Sequence, residues 1–290
     1  MNTGKEPMQR YIQQQLLSHH AQCPFFAVAH PCPAESDDTA VASATLAETL
    51  NRRIFSVASA SALHRLSLFS ACMRHLAFLH GRQPEGCMMW AVRAADILGR
   101  QGGDSERAAG VFVVPREWRI SGEDLDRSVK SLFGSELTQW KHLQSQLTGM
   151  SPGAVASLTG APLEVLVAYS EAGAPLEGVD AAARSVVIVI DATPERTRVE
   201  ARCAGGQGDP DLASRLVDRL QTLLAALVGV PDAPLASVSM LAGAERAKVL
   251  QQFNDTDVPF PEQALLHGLI EEQVRRSPRA PAVVFDAQVV

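Results

Sequence analysis

Apolar residues recur at the spacing of an α-helix in several stretches of the chain. Between Ser61 and His80 they return every three or four positions, which places them on one face of a predicted core helix. A second stripe starts at Ser121, which with Asp124 has the pattern of a capping box, and continues to Leu147. These two stretches therefore predict long helices with one buried face.

A third apolar stripe, through Val228, follows Asp209 and Pro210, the predicted N-cap and first helical residue. Shorter helices are predicted at Pro7–Ser18 and Leu265–Arg276. The remaining stretches indicate a proline-rich connector before residue 39, a linker after Pro231 and Pro234, and a strand at Ala282–Phe285.

Runs of apolar and β-branched residues predict strands in the middle of the chain. Cys87–Val92 and Gly110–Val114 have the composition of buried strands, and Leu163–Ser170 and Ser185–Asp191 are rich in β-branched residues. In Arg196–Cys203 polar and apolar residues alternate strictly, which predicts a half-exposed strand.

The segment between the last two strands is short enough for a hairpin, and a hairpin does not fit a purely parallel sheet. We therefore predict an α/β fold of the α+β sandwich type, with a mixed β-sheet and helices packed on one side.

The composition of the chain argues against one class of function, nucleic-acid binding. The chain has 290 residues, 46% of them hydrophobic, and its 26 Lys and Arg against 32 Asp and Glu give a formal charge of -6. It lacks the basic stripe that neutralises phosphates, so we do not expect it to bind nucleic acid.

The five cysteines show no CxxC spacing and no histidine placed to complete a tetrahedral metal site. Free thiols, a polar amino terminus and the lack of a long apolar run predict a cytoplasmic protein without a membrane partner or a metal.

The segment from Leu241 to Val290 resembles the junction between condensation and adenylation domains of nonribosomal peptide synthetases. That family shows a Glu-Arg pair, an "FNDT" followed by an aromatic residue and proline, and then "LHxLFExQVxRTPDAxAV". The matching residues here are Glu245 and Arg246, Phe253–Thr256, Pro259–Pro261, Leu266 and His267, Glu272–Val274, and Arg276–Pro278.

The resemblance continues upstream with weaker matches in the same order. They are Val228–Leu241, which is similar to the tail of the family's condensation domain, Pro162–Tyr169, Gly110–Pro115, Ala62–His80 and Met8–Leu17. It implies the carboxyl-side lobe of a condensation domain, a lobe similar to chloramphenicol acetyltransferase. The implied parts are a connector and start of the lobe at 1–58, the lobe at 59–240, a linker at 241–264 and the start of an adenylation domain at 265–290.

The resemblance also implies that catalytic groups are missing. The family's HHxxxDG motif belongs to the other lobe, and His19 and His20 have Cys and Pro where that motif needs Asp and Gly. The polar "VNT" becomes Val113, Val114 and Pro115, and the "HQDxPF" segment becomes Ser135–Trp140. We therefore expect no catalytic, cofactor-binding or metal-binding residue here, with ATP, Mg²⁺ and phosphopantetheine used only by the rest of a parent synthetase.

Two other candidate positions are discounted. Ser135 lacks the sequence context of a serine that receives phosphopantetheine, and Gly205–Gly208 lacks the lysine and spacing of a phosphate-binding loop.

The leading hypothesis is a catalytically incompetent lobe that serves as a platform for a downstream adenylation domain in the same polypeptide. Two alternatives stay open: half of a split condensation enzyme completed by a separate amino-side lobe, or a docking module for an upstream carrier protein. We further expect the chain to be an excised part of a longer one. The predicted interface with the adenylation domain consists of Phe253, Asn254, Asp255, Thr256, Pro259, Phe260 and Pro261.

Overall fold

The structure is a computed structural model of the chain. It describes residues 39–81, 85–99, 110–148, 150, 152, 165–173, 176, 186–204, 211–256, 265–281, 284–285 and 288–289. The helix predicted at Pro7–Ser18, the connector before residue 39 and the predicted cap Asp209–Pro210 lie outside these ranges. The chain divides into two compact units, Met1–Gly243 and Ala244–Val290.

The first unit alternates strands and helices. Its strands are β1 (Thr39–Thr45), β2 (Glu85–Arg93), β3 (Val111–Arg119), β4 (Val165–Ser170), β5 (Val186–Ala192) and β6 (Thr197–Ala204). Its helices are α1 (Glu48–Val57), α2 (Ala62–Gly81), α3 (Ala94–Leu98), α4 (Gly122–Asp126), α5 (Val129–Leu147) and α6 (Leu212–Gly229), with a 3-10 turn at Leu235–Ser237.

The strands form a six-stranded sheet in the order β1-β6-β5-β4-β2-β3. β4 runs parallel to both β2 and β5, whereas β1, β6 and β3 pair antiparallel with their neighbours. The mixed sheet is therefore confirmed, and so is the hairpin between β5 and β6. Residues alternate along β6 as predicted, with Thr197, Val199, Ala201 and Cys203 buried.

The described helices of the first unit pack on one face of the sheet, as predicted. Trp90 of β2 meets Trp140 of α5 edge-on at a ring distance of 5.7 Å. Tyr169 of β4 lies 5.7 Å from the ring of Phe69 on α2. On the opposite face the central strands form a smaller apolar cluster together with Leu176: Met89, Ala91, Leu166, Ala168, Val187 and Val189.

Helix α2 is more deeply buried than its sequence predicts. We expected one apolar face, but every residue from Leu66 to Met73 is buried. The reason is that α5 and α6 both pack beside α2. The sides of the helix are therefore covered as well as the face toward the sheet. Its small polar side chains find hydrogen-bond partners within the helix layer. Ser67 Oγ, for example, donates to Leu63 O at 2.7 Å.

The predicted helix from Ser121 to Leu147 is two helices. The capping box of Ser121 and Asp124 is present, but it begins the short α4, and α5 starts separately with Ser128 as its N-cap. Two amides at the start of α5 are held by the later chain, because Val129 N donates to Ala233 O and Lys130 N to Pro231 O.

The chain after Pro231 is accordingly part of the lobe rather than a free linker. Leu235 and Val238 are buried in its core. The break between α4 and α5 is where this returning segment packs.

Two strands differ from expectation. β3 continues to Arg119 and alternates between buried and partly buried residues, and it lies at the edge of the sheet, where a proline such as Pro115 is tolerated. β1 was missed, since its small residues, TAVASAT, lack the bulk that marks a strand.

Helix α1, which follows β1, is tied to the β5–β6 hairpin. Asn51 Nδ2 donates to Thr193 O and Pro194 O, and Asn51 Oδ1 accepts from Thr197 Oγ1 at 2.6 Å.

The second unit contains α7 (Gly243–Leu250), a 3-10 turn at Gln252–Asn254, α8 (Leu266–Arg276), β7 (Val284–Phe285) and β8 (Gln288–Val289). The predicted helix at 265–276 is confirmed, and β7 covers the end of the predicted strand. None of the described residues of α7, the turn or α8 is buried. The domain boundaries proposed from the sequence stay predictions.

No helix in the described ranges is both long and apolar enough to cross a membrane.

His75 of α2 is a polar side chain in the core. It is fully buried, and its ring stacks on Phe78 with ring centres 6.2 Å apart. Neither ring nitrogen has a hydrogen-bond partner of normal geometry. Burial lowers the pKa of His75 to about 4, a shift that the backbone of Val238 opposes and Arg74 increases.

The buried imidazole predicts a pH dependence of stability. Between pH 6.5 and about 4 the unfolded chain binds a proton at His75 that the folded chain does not. Stability should therefore fall by up to about 3 kcal/mol as the pH is lowered through this window. Urea unfolding across the window should show this slope reduced in His75→Leu and retained in the exposed control His142→Gln. Equal slopes for wild type and His75→Leu would contradict the prediction.

Gly86 of β2 allows Trp118 of β3 to lie across the strand pair. A Cβ at residue 86 would lie 2.3 Å from the Trp118 ring, whereas nothing lies within 4 Å of a Cβ built on Gly134 in α5. We expect Gly86→Ala to lower the free energy of unfolding by about 1–3 kcal/mol. The matched control Gly134→Ala should raise it by about 0.5–1 kcal/mol, because alanine favours a helix interior. Chemical denaturation of both variants measures the contrast, and a neutral Gly86→Ala would show that the ring moves freely.

Candidate functional site

Polar side chains collect at the carboxyl ends of the parallel strands β2, β4 and β5. In open α/β sheets this is the edge where ligands bind. Arg93 ends β2, Ser170 ends β4, and Asp191 lies beside Ser170 near the end of β5. The next strand adds Arg198, which pairs with Asp191 in the register of β5 and β6. A row of polar residues therefore crosses the sheet at this edge.

The row is held by hydrogen bonds to the chain that follows β4. Ser170 Oγ accepts from Arg93 Nε at 3.3 Å and from Ala172 N at 3.1 Å. Asp191 Oδ1 accepts from Gly173 N at 3.1 Å, and Gly173 has a φ of 71°, which favours glycine. Burial raises the pKa of Asp191, although the Gly173 amide and nearby arginines oppose the shift.

Next to the row, Glu171 forms an ion pair with Arg65 of α2. Both carboxylate oxygens are engaged, with Arg65 Nε and Nη2 each 2.7 Å away, and Tyr169 Oη donates to Oε1 at 2.6 Å. The bond to Glu171 raises the pKa of Arg65. Arg65 Nη1 also donates to Ala58 O, and its guanidinium lies 4.8 Å from the ring centre of Phe55. This ion pair joins α2 to the end of β4.

The described carboxylates at this edge accept bonds from fixed donors; Asp96, for example, accepts from Glu171 N at 3.0 Å. The contact of Ser61 Oγ with His64 Nδ1, 2.9 Å, lies at the exposed start of α2, where Ser61 also accepts from the His64 amide. Within the described ranges, no three His, Cys, Asp or Glu side chains are placed to hold a metal ion.

A second polar cluster lies around Glu136, in the segment Ser135–Trp140 of α5. Glu136 of α5 is only 2% exposed. It accepts from Ser70 Oγ at 2.6 Å, from Arg74 Nη1 at 3.1 Å and from Arg116 Nη2 at 2.7 Å. One carboxylate therefore links α5 to both α2 and the edge strand β3.

The two arginines are held from other directions as well. Arg116 Nη2 donates to Gln139 Oε1 at 2.9 Å, and its guanidinium lies 4.8 Å from the Trp140 ring centre. Arg74 Nη2 donates to Arg119 O. The Nε atoms of both arginines are buried without a hydrogen-bond partner.

The other residues singled out in the sequence are dispersed. Val114 is buried in the helix-side core, and Val113 packs against the apolar cluster on the opposite face. Ser135 is exposed on α5. His19, His20 and Gly205–Gly208 lie outside the described ranges.

Part of the predicted interface is described. Phe253, Asn254, Asp255 and Thr256 lie at the exposed end of α7, whereas Pro259, Phe260 and Pro261 are outside the described residues. No residue of this set joins either polar cluster in the contacts that the structure describes.

Sequence reasoning missed both polar clusters. One signal was available for Glu136, because it falls on the apolar stripe between Leu132 and Trp140 at intervals of four residues. A charge on a buried helix face indicates a buried partner. Arg65 and Glu171 are 106 residues apart, and no local pattern relates them.

We predict that Glu136→Gln lowers the free energy of unfolding by about 3 kcal/mol, because two largely buried guanidinium groups lose their counter-charge. The control is Glu85→Gln, which removes an exposed ion pair with Arg119 and should change stability by less than about 1 kcal/mol. Urea unfolding at neutral pH compares the two. Equal effects would show that Glu136 is not the partner on which the junction depends.

No family model matches the chain. In sequence the chain is similar to malpibaldin synthetase of Mortierella alpina, with 38% identity over 82 residues, 28% of this chain and 2% of that protein. It is also similar to tyrocidine synthase 3 of Brevibacillus parabrevis, with 38% identity over 66 residues, 23% of this chain and 1% of that protein. The chain thus spans a very small share of the length of the curated relatives it matches.

The fold recurs in solved structures. A four-domain nonribosomal peptide synthetase bound to AMP and glycine matches 97% of this chain with 24% of its own length, at a TM-score of 0.67 and 11% identity. The first condensation domain of the calcium-dependent antibiotic synthetase matches 82% of this chain with 56% of its own, at a TM-score of 0.59 and 15% identity. The predicted α/β fold is confirmed: the chain shares the fold of these condensation domains, and part of its sequence is similar to nonribosomal peptide synthetases.

Proposed function

We propose that the chain is a non-catalytic condensation-like lobe that serves as a platform for an adenylation domain following it in the same polypeptide. One observation carries the proposal: the second unit exposes apolar side chains that need a partner surface. A solved structure with a similar fold supports the proposal, because 97% of this chain corresponds to 24% of a four-domain synthetase.

The exposed apolar residues of α8 are arranged as a stripe. Leu266 is 77% exposed, Ile270 58% and Val274 56%, and they follow one another at intervals of four residues along one side of the helix. Ion pairs Glu271–Arg275 and Glu272–Arg276 occupy other positions of α8. A helix of 11 residues with this pattern is stable only when its apolar side is covered.

The two-stranded sheet of β7 and β8 supports the same proposal. A pair of two-residue strands is too small to be stable by itself and needs further strands or a packed helix. The second unit therefore has the character of the beginning of a domain, and the adenylation domain implied by the resemblance would supply the missing surface.

The lack of catalysis is proposed from the residues present. The chain contains no HHxxxDG, and the carboxylates of Glu136, Glu171 and Asp191 accept hydrogen bonds within the first unit. The positions where the family has polar tunnel residues carry Val113, Val114 and Pro115 instead.

Deletion in the parent synthetase tests the platform. Removal of residues 1–240 should lower the soluble yield of the adenylation domain and its amino-acid-dependent ATP–pyrophosphate exchange, because the domain loses its packing surface. The isolated 1–240 fragment should fold cooperatively, since it contains every buried residue described, up to Val238. Unchanged yield and exchange after the deletion would contradict the platform.

An amide-bond assay tests the absence of chemistry. With two carrier-bound substrates, the chain should form no peptide, either alone or mixed with a separate lobe that carries HHxxxDG. Product from the chain alone would overturn the non-catalytic assignment. Product that requires the added lobe would support the split enzyme instead.

A further inference from the structure

We propose that β1 is a self-association surface, through which two copies of the chain pair antiparallel around a two-fold axis at Ala42. The inference goes beyond the proposed function and does not depend on it. β1 (Thr39–Thr45) lies at one end of the six-stranded sheet, and among the described strands it pairs only with β6. Its other side is therefore an edge that a further strand can extend.

One hydrogen bond shows which backbone groups of β1 point toward that edge. Leu46, which continues the register of β1 and β6, donates its amide hydrogen to Thr197 O at 2.9 Å. In an antiparallel pair alternate residues bond to the neighbouring strand, so the even-numbered residues of β1 bond to β6 as Leu46 does. The odd-numbered residues direct their N–H and C=O groups to the open edge. They are Thr39, Val41, Ser43 and Thr45.

The sequence of β1 matches itself when one copy is reversed. Read in either direction, TAVASAT has threonine at both ends and alanine at every second position, and only Val41 and Ser43 exchange places. Antiparallel pairing centred on Ala42 places Thr39 opposite Thr45, and Val41 opposite Ser43, of the second copy. Every pair of outward-directed residues is then a hydrogen-bonded pair, so this register satisfies the edge groups of both strands at once.

The side chains of β1 also fit this pairing. Those of the even-numbered alanines pack against the helix-side core, whereas the odd-numbered residues are exposed on the other face, with Val41 58% exposed. In the pairing the two Val41 side chains are diagonal neighbours, and threonine lies opposite threonine, a favourable pair in antiparallel sheets. No residue of β1 is charged, a proline or larger than valine, so neither charge nor bulk keeps the two strands apart.

A second copy is the occupant we assign, because a strand that complements itself favours a two-fold interface between identical chains. The described charges beside β1 on this face lie on β6, where Glu200 pairs with both Arg198 and Arg202. β1 itself therefore brings no charge to the contact. Strand pairing over 7 residues buries less area than a standard protein interface, so the dimer should be weak and reversible.

Sedimentation equilibrium of the 1–290 chain over a series of concentrations tests the pairing. We expect a reversible equilibrium between monomer and dimer. Val41→Lys should raise the dissociation constant by about tenfold or more, because two ammonium groups would lie diagonally across the axis. The matched control Val57→Lys makes the same change at an exposed position of α1 and should alter the constant by less than about twofold.

Two cysteine variants test the position of the axis. Ala42 faces its own counterpart in a non-hydrogen-bonded pair, whose Cα atoms lie about 4.5 Å apart, within the range of a disulfide. Ala42→Cys should therefore give a cross-linked dimer on mild oxidation. In Ala44→Cys the two introduced thiols are offset by about 13 Å along the strands, so this variant should not exceed the wild-type background.

The outcomes bear on the pairing alone. A chain that stays monomeric through the series would overturn the inference. So would a dimer that Val41→Lys leaves unchanged, because its contact would lie elsewhere on the chain. Equal cross-linking of Ala42→Cys and Ala44→Cys would show another register and overturn the axis at Ala42. The platform is tested separately, by the deletion of residues 1–240.

Discussion

The first unit depends on the buried carboxylate of Glu136. This side chain of α5 bonds to α2 through Ser70 and Arg74 and to β3 through Arg116. Two guanidinium groups can be brought into this junction only because a negative charge lies between them. The Trp140 ring, which packs on Arg116 and on Trp90, extends this junction into the apolar core. The Glu136 side chain thus holds α5, α2 and β3 together at this junction.

The carboxyl edge of the sheet repeats the same principle. An α/β sheet presents polar groups where parallel strands end, and in enzymes these groups remain available to a ligand. Here Glu171 accepts from Arg65 and Tyr169, and Asp191 accepts from Gly173. Each of these hydrogen bonds satisfies a polar group that would otherwise be costly to bury. Most of the exposed large apolar residues in the described ranges lie instead in the second unit.

Periodicity predicted the long elements well because their environments are uniform. The stripe of α6 and the alternation in β6 each face one packed layer and one solvent layer, so their sequences report their burial directly. Prediction was less accurate where a neighbour changes the environment. α2 has apolar residues nearly all round because two helices flank it, and the helix predicted from Ser121 to Leu147 is broken where the segment after Pro231 bonds to its amides.

The sequence by itself determined the α/β class, the mixed sheet and the likeness to condensation domains, because these follow from local periods and from short motifs in a set order. It also marked Phe253 and Asn254 as positions of interest, although not how they act. Only the tertiary structure decided the pairing of Arg65 with Glu171, the joint at Glu136 and the place of the small-residue strand β1 at the sheet edge. These features join residues far apart in the chain, and their energies come from desolvation and charge at the point of contact, which no local pattern of residues records.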